Sequence, residues 1–114
     1  EVRTQLMRVA LKGRDFQRVI ELGTPVEVKN PRNTEMLWLL GWAYYGMQKF
    51  EDAARFFERL RLEEPKKVEV FNLLADIYYR LDQREKSLER IQQSLALKPD
   101  QKDIVELKKK VESN

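Results

Sequence analysis

The chain has 114 residues, a formal net charge of +3 and neither cysteine nor histidine. That excludes thiol chemistry, disulfides, zinc sites built on Cys or His, and the side chain best suited to proton transfer near neutral pH. The length suits a single domain, the mild positive charge is compatible with acidic partners, and no apolar run approaches the ~20 residues that cross a bilayer. The first residue is Glu1 rather than methionine, so a removed or omitted upstream segment is expected. The cytoplasm is the first expectation for compartment, and a periplasmic or membrane-attached location through such a segment is the alternative.

One period organises the sequence. Pro31, Pro65 and Pro99 stand 34 residues apart. The same offset aligns Leu6 with Leu40 and Leu74, Phe16 with Phe50, and Leu37 with Phe71. It also aligns Gly41 with Ala75, Tyr44 with Tyr78, Phe57 with Ile91, and Val19 with Ala53 and Ser87. Several residue classes recurring together at one spacing point to a helical repeat.

The first unit, 1–33, is the least regular. It keeps Leu6, Phe16, Val19 and Pro31, but Gly23-Thr24-Pro25 interrupts its second helix. Two readings are open. In the favoured one the helix ends near Leu22 and an extended segment with alternating Val26 and Val28 follows. In the other, Thr24 caps a new turn with Pro25 at its first position.

The second unit, 34–67, is clear. Leu37, Leu40, Gly41 and Tyr44 recur at i, i+3, i+4 and i+7 on one helical face. Gly46–Lys49 reads as the turn, and Phe50, Ala53, Ala54, Phe57 and Leu60 form the facing stripe. Small residues at Gly41 and Ala53 let the two backbones approach, and Pro65 ends the second helix.

The third unit, 68–101, repeats the plan. Its first helix carries Phe71, Leu74, Ala75 and Tyr78, and its second carries Leu88, Ile91, Leu95 and Leu97. Asp82 is a candidate cap for the second helix, and Asp100 for a closing helix within 102–114 that carries Ile104, Val105, Leu107 and Val111.

With Leu37, Leu40, Gly41, Tyr44, Ala53, Phe57 and Pro65 in place, the chain resembles the tetratricopeptide repeat family along nearly its whole length. The resemblance implies an all-α fold, a right-handed α-solenoid of antiparallel helix pairs with about three such units plus a C-terminal helix. It also implies a non-enzymatic protein-interaction role. In that family the first helix of each pair lines a concave face that takes peptides or helices. Carried over, this assigns Glu1, Thr4, Arg8, Leu11 and Lys12 in the first unit. It assigns Glu35, Trp38, Trp42, Tyr45 and Gly46 in the second, and Glu69, Asn72, Asp76, Tyr79 and Arg80 in the third. Asp103, Glu106 and Lys110 join them from the closing helix.

Trp38, Trp42 and Tyr45 share one stripe at i, i+4 and i+7, and Tyr79 stands one period beyond Tyr45. The expected partner-binding set is Arg8, Lys12, Trp38, Trp42, Tyr45, Asn72, Asp76, Tyr79 and Arg80. The bland alternative is that the aromatics are core. The Lys, Asn and Arg set that clamps a C-terminal carboxylate in some family members is incomplete, because the relevant places hold Thr4, Gln5, Arg8, Trp38, Leu39, Asn72, Leu73 and Asp76. The expected partner is another protein, offering a peptide or an amphipathic helix. The rival reading is a structural or self-associating scaffold that uses its end faces.

The mixed charges of Arg55, Glu58, Arg59, Arg61, Glu63 and Glu64 read as a solvated outer face on which Arg55 and Arg59 repel. Lys108–Lys110 suits a helix C-terminus, and with no interleaved aromatics neither nucleic acid nor membrane contact is expected. No motif for phosphate binding, metalloproteolysis or nucleophilic catalysis occurs. No cofactor or metal is expected.

Overall fold

Each pair of helices in this chain buries its apolar stripe only by stacking on the next pair, so the fold grows along one axis. The computed structural model describes residues 2–113 and measures 43 × 24 × 21 Å. Its described residues form α1 (Val2–Lys12), α2 (Phe16–Lys29), α3 (Thr34–Gly46), α4 (Phe50–Glu63), α5 (Val68–Arg80), α6 (Arg84–Leu97) and α7 (Lys102–Glu112), with no strand among them. Successive helices pack on one another throughout, and α1 also touches α3 as α5 touches α7.

The central core joins α3, α4 and α5. Leu37, Leu40, Ala53, Phe57, Leu60, Val70, Leu74 and Ile77 are fully buried there. A Cβ on Gly41 would lie 2.7 Å from the Phe57 ring, so glycine is what lets that ring reach the α3 backbone. Gly46, expected in the turn, is the last residue of α3, and a Cβ there would stand 2.3 Å from the Phe16 ring.

The first unit departs from both readings of its interruption. α2 runs unbroken through Gly23, Thr24 and Pro25 to Lys29. Gly23 is buried where three helices meet, and a Cβ there would lie 2.6 Å from Met7 Cε and 3.0 Å from Leu40 Cδ2. Pro25 removes one backbone donor, but Glu21 and Pro25 are exposed, so water can reach the carbonyl left over. The Thr24 hydroxyl donates to the Ile20 carbonyl at 2.7 Å. The glycine is therefore a packing residue and not a helix stop.

The three helix-to-helix turns within pairs share a feature that the sequence hid. Arg14, Gln48 and Asp82 have φ of 62°, 60° and 59°, the left-handed region, and they stand one period apart. Asp82 thus closes a turn instead of capping α6, whose N-cap Gln83 makes no side-chain cap bond. A left-handed L-residue costs about 1–2 kcal/mol, and glycine's extra freedom in the unfolded chain cancels about 0.4–1 of any gain. Gln48→Gly is therefore expected to stabilise by roughly 0.5–1 kcal/mol, read as a higher urea midpoint at unchanged slope.

Asp100 is likewise not the cap of α7. Gln101 holds that position with its side chain turned elsewhere. Its Nε2 donates to the Lys98 carbonyl at 2.7 Å and to Ser94 Oγ at 3.0 Å, and its Oε1 accepts from Asn72 Nδ2 at 2.8 Å. One buried amide thus ties α5, α6 and α7 together.

The outer face of α4 is more than a solvated surface. Arg59 Nη2 donates to Glu27 at 2.9 Å and to the Pro31 carbonyl at 2.7 Å, while Arg55 turns to Asp52. Both guanidinium groups lie over the Phe56 ring, which stacks on Tyr44 with centroids 5.5 Å apart. Separate acidic partners and a shared ring offset the repulsion expected between the two arginines. Glu58 accepts from Tyr78 Oη at 2.6 Å, Arg61 Nε at 2.8 Å and Arg90 Nε at 3.0 Å.

Candidate functional site

The first helices of the pairs, α1, α3 and α5, lie side by side with α7, and their common face carries a row of joined clefts. A cleft of about 630 Å³ lies between α1 and α3, lined by Arg8, Leu11, Lys12, Glu35 and Trp38. Leu11 and Lys12 are shared with the next, of about 470 Å³, whose walls are Phe16, Trp42, Tyr45 and Phe50 with Arg14 and Arg80 at the rim. Tyr45 and Arg80 are shared with a third, of about 530 Å³, which adds Asn72, Asp76, Asp103, Glu106 and Lys110. Asn72, Asp103 and Glu106 continue into a fourth beside Lys98, Asp100 and Lys102.

The aromatic floor is held by edge contacts. Trp42 meets Trp38, Tyr45 and Phe57 at centroid distances of 5.9, 5.4 and 6.3 Å, and Tyr45 meets Phe50 at 5.6 Å. Lys67 Nζ sits 4.2 Å from the Trp38 ring centroid. Both tryptophans are half-buried, with one side on the core and the other on the groove.

Polar side chains fix the middle of the groove. Tyr45 Oη donates to Asp76 Oδ2 at 2.6 Å, and Arg80 Nε donates to the same oxygen at 2.9 Å. Burial, and then the bond to Asp76, raise the Tyr45 phenol above its ordinary pKa, so it stays a neutral donor. The hydrogen bond to Asp76 raises Arg80 further still. Arg8 pairs with Glu35 across α1 and α3. Charge is unevenly spread: Arg8, Lys12 and Arg14 face one acid, Glu35, at the α1 end, whereas toward α7 Asp76, Asp100, Asp103 and Glu106 are balanced by Arg80, Lys98, Lys102 and Lys110.

Two segments of the chain match family profiles described as tetratricopeptide repeat, residues 10–77 and residues 70–105. The chain belongs to the tetratricopeptide repeat family. By sequence, no curated protein matches it. Among solved structures it is similar to the Arabidopsis OM64 tetratricopeptide domain, with a TM-score of 0.87 and 18% identity over 100% of this chain and 94% of that one. It is similar to the second such domain of human RPAP3, described in complex with the HSP70 peptide SGPTIEEVD, with a TM-score of 0.86, 19% identity, and 98% and 93% covered. It is also similar to MamA, with a TM-score of 0.92 and 19% identity over 98% of this chain and 61% of MamA. At such identities these likenesses speak for the fold alone.

The tetratricopeptide groove brings together most of the residues expected there. Arg8, Lys12, Trp38, Trp42, Tyr45, Asn72, Asp76 and Arg80 all line the joined clefts. Tyr79 does not. It is half-buried in a cluster with Ala75, Ile91, Ile104 and Val111, because α7 covers that side of α5, and it opens instead onto a separate cleft with Asp82 and Arg84. Thr4 is buried, and Glu1 lies outside the described residues. Asn72 faces the groove but is already bonded to Ser94 and Gln101.

Phe16, Phe50 and Arg14 are groove residues that the period alone does not reveal. The repeat spacing assigns Phe16 and Phe50 to the second helices as core. Being first in their helices, they also reach around the turn into the cleft.

Among the described residues no helix is long and apolar enough to cross a membrane, and no three His, Cys, Asp or Glu side chains come together as a metal site would need.

Proposed function

We propose that this chain is a protein-interaction module that holds an acidic peptide or amphipathic helix along its concave groove. The observation that carries this is the run of clefts along α1, α3, α5 and α7, each sharing lining residues with the next over an aromatic floor. Trp and Tyr side chains exposed on one side concentrate binding energy in such grooves. The basic α1 end favours acidic residues of the ligand there. The peptide complex of the similar human domain supports a peptide as ligand. This groove lacks the full Lys, Asn and Arg carboxylate clamp, so recognition runs through the aromatics and the unpaired Lys12.

Trp38 and Trp42 are the chain's two tryptophans and both line the groove, so intrinsic fluorescence reports its occupancy. Peptides selected from a displayed library on the wild-type chain are expected to shift that fluorescence on titration. Lys12→Glu, an exposed change, is expected to weaken them about tenfold, ~1.4 kcal/mol, without altering the melting temperature. Selected peptides that leave the fluorescence unchanged, or that bind Lys12→Glu equally well, would count against the groove.

A further inference from the structure

The cleft of about 470 Å³ in the middle of the groove differs from its neighbours in charge. Its lining holds the rings of Phe16, Trp42, Tyr45 and Phe50 and the cations Lys12, Arg14 and Arg80, but no acid. The clefts on either side contain acids, Glu35 in one and Asp76, Asp103 and Glu106 in the other. The repeat period builds this opening. Lys12, Gly46 and Arg80 stand 34 residues apart, so the middle place of that row has no side chain. Phe16 takes the room instead: a Cβ on Gly46 would lie 2.3 Å from its ring, which packs on the end of α3 and walls the cleft. One period on, Tyr45, Gln48 and Phe50 become Tyr79, Asp82 and Arg84, which line the separate cleft beside α7. An acid is present there, and Arg84 is bonded to the Glu112 carbonyl at 2.6 Å. The acid-free aromatic cleft is thus not a feature that each repeat carries.

The two arginines are held in place but not neutralised. Arg14 lies over the Phe16 ring at 5.3 Å, and Arg80 lies over Phe50 at 5.3 Å and Tyr45 at 5.9 Å. Among the described residues Lys12 and Arg14 make no ion pair. Arg80 meets Asp76 through Nε alone, which leaves both its Nη groups without a hydrogen bond. The three cations are exposed and the four rings are half-buried, so charge surrounds the mouth and the aromatic walls lie beneath it. We propose, resting on the reading of the groove as a peptide site, that this cleft holds one aromatic side chain of the ligand whose neighbouring residue is Asp or Glu. The ring enters between the aromatic walls, and the carboxylate stays at the mouth against Lys12 and Arg14. A basic side chain is disfavoured, because guanidinium groups already lie over three of the ring faces. A phosphorylated ring is oriented wrongly, since its charge would go to the deep end. The adjoining clefts share Leu11, Lys12, Tyr45 and Arg80 with this one, which suits a residue within a longer chain.

The test titrates peptides selected from a displayed library into the nitrogen-15-labelled chain and follows its NMR signals. The Trp42 indole and the Gly46 amide report this cleft, and the Trp38 indole reports the one between α1 and α3. The selected peptides are expected to share an aromatic residue beside Asp or Glu and to move Trp42 and Gly46. Replacing that aromatic by Ala should weaken binding about tenfold, and replacing the acid by its amide about fivefold. The chain variant Lys12→Gln/Arg14→Gln should bind the parent peptide about fivefold more weakly, bind the amide peptide as wild type does, and keep its melting curve. Peptides that move Trp38 but neither Trp42 nor Gly46 overturn this proposal and leave the groove standing. Peptides that move none of the three overturn both. The proposal also falls if the selected peptides share no aromatic–acid pair, or if the variant weakens parent and amide peptides equally. AMP offers a ring and an anion without a peptide: if it moves Trp42 at lower concentration than the peptides and displaces them, the cleft is a nucleotide site and the proposal is overturned.

Discussion

Gly23→Phe is expected to destabilise the chain by about 3 kcal/mol, with the melting temperature falling by roughly 12 °C. The β-carbon alone would lie 2.6 Å from Met7 Cε, before any ring is added. In the middle pair the small residue is Gly41 on the first helix and the large one is Phe57 on the second. One period earlier the same two positions hold Met7 and Gly23, so large and small are exchanged. The last pair has Ala75 with Ile91, both buried. What the fold conserves is the summed volume across the pair, which is what a close-packed interior requires.

The double variant Met7→Gly/Gly23→Phe restores the arrangement of the middle pair. Met7→Gly alone should also be costly, by roughly 2–5 kcal/mol for the void, plus about 1 for glycine in a helix. If the exchange is real, the double variant loses less than the sum of the single losses, by about 1–3 kcal/mol of coupling. Urea unfolding of the four chains measures this. Additive losses would show that Met7 and Gly23 are independent departures.

That exchange explains which parts of the molecule could be read from sequence. The second and third pairs keep large and small residues in their own places, so spacing identified their faces and the shared stripe of Trp38, Trp42 and Tyr45, and the resemblance to the family assigned that stripe to the groove. In the first pair each residue taken singly looks like a loss: methionine for glycine, glycine for an aromatic. Only as a pair do they make sense, and pairwise complementarity is invisible to a position-by-position reading. Pro25 then misled for a second reason. A proline on an exposed helix face costs one hydrogen bond that water can replace, while the buried Gly23 beside it holds α2 against two other helices. Tyr79 misled because the period says nothing of where the stack ends, and α7 covers the place that Tyr45 leaves open. The outer face misled because its bonds join residues 31 and 32 apart, Arg32–Glu63, Arg59–Glu27 and Arg90–Glu58, and an i, i+4 rule finds none of them.

Those distant bonds set the second large effect. Glu58→Ala is expected to cost about 2–4 kcal/mol, because it strips partners from three groups at once. Arg90 is the most exposed to this loss, being buried beneath the face, although Glu89 and Gln93 still accept from it. The estimate sits below a fully buried pair because the Glu58 side chain keeps 23% of its exposure. Burial acts to raise the Glu58 carboxyl, but the hydrogen bonds from Tyr78, Arg61 and Arg90 outweigh it and hold the group below its ordinary value. Burial, and then the bond to Glu58, raise Tyr78.

The two shifts give stability two pH limits. The folded chain binds the Glu58 proton more weakly than the unfolded chain does. Its contribution is therefore complete above the ordinary carboxylate value of about 4.3, and it is lost as pH falls through that value toward the lowered one. The folded chain binds the Tyr78 proton more tightly. That contribution is complete below the ordinary phenol value of about 10 and is lost as pH rises beyond it, where a phenolate would face the Glu58 carboxylate. Glu58→Gln removes the carboxylate from both limits while keeping the side chain's shape. Its melting temperature should be lower than wild type near neutrality and should fall less steeply on both the acid and the alkaline side. Tyr78→Phe should flatten the alkaline side and also soften the acid side, because the Tyr78 hydroxyl is the largest single cause that lowers the Glu58 carboxyl, with Arg61 and Arg90 behind it. If Glu58→Gln keeps both slopes of the wild type, some other set of groups controls them, and the outer-face bonds contribute little to holding successive pairs together.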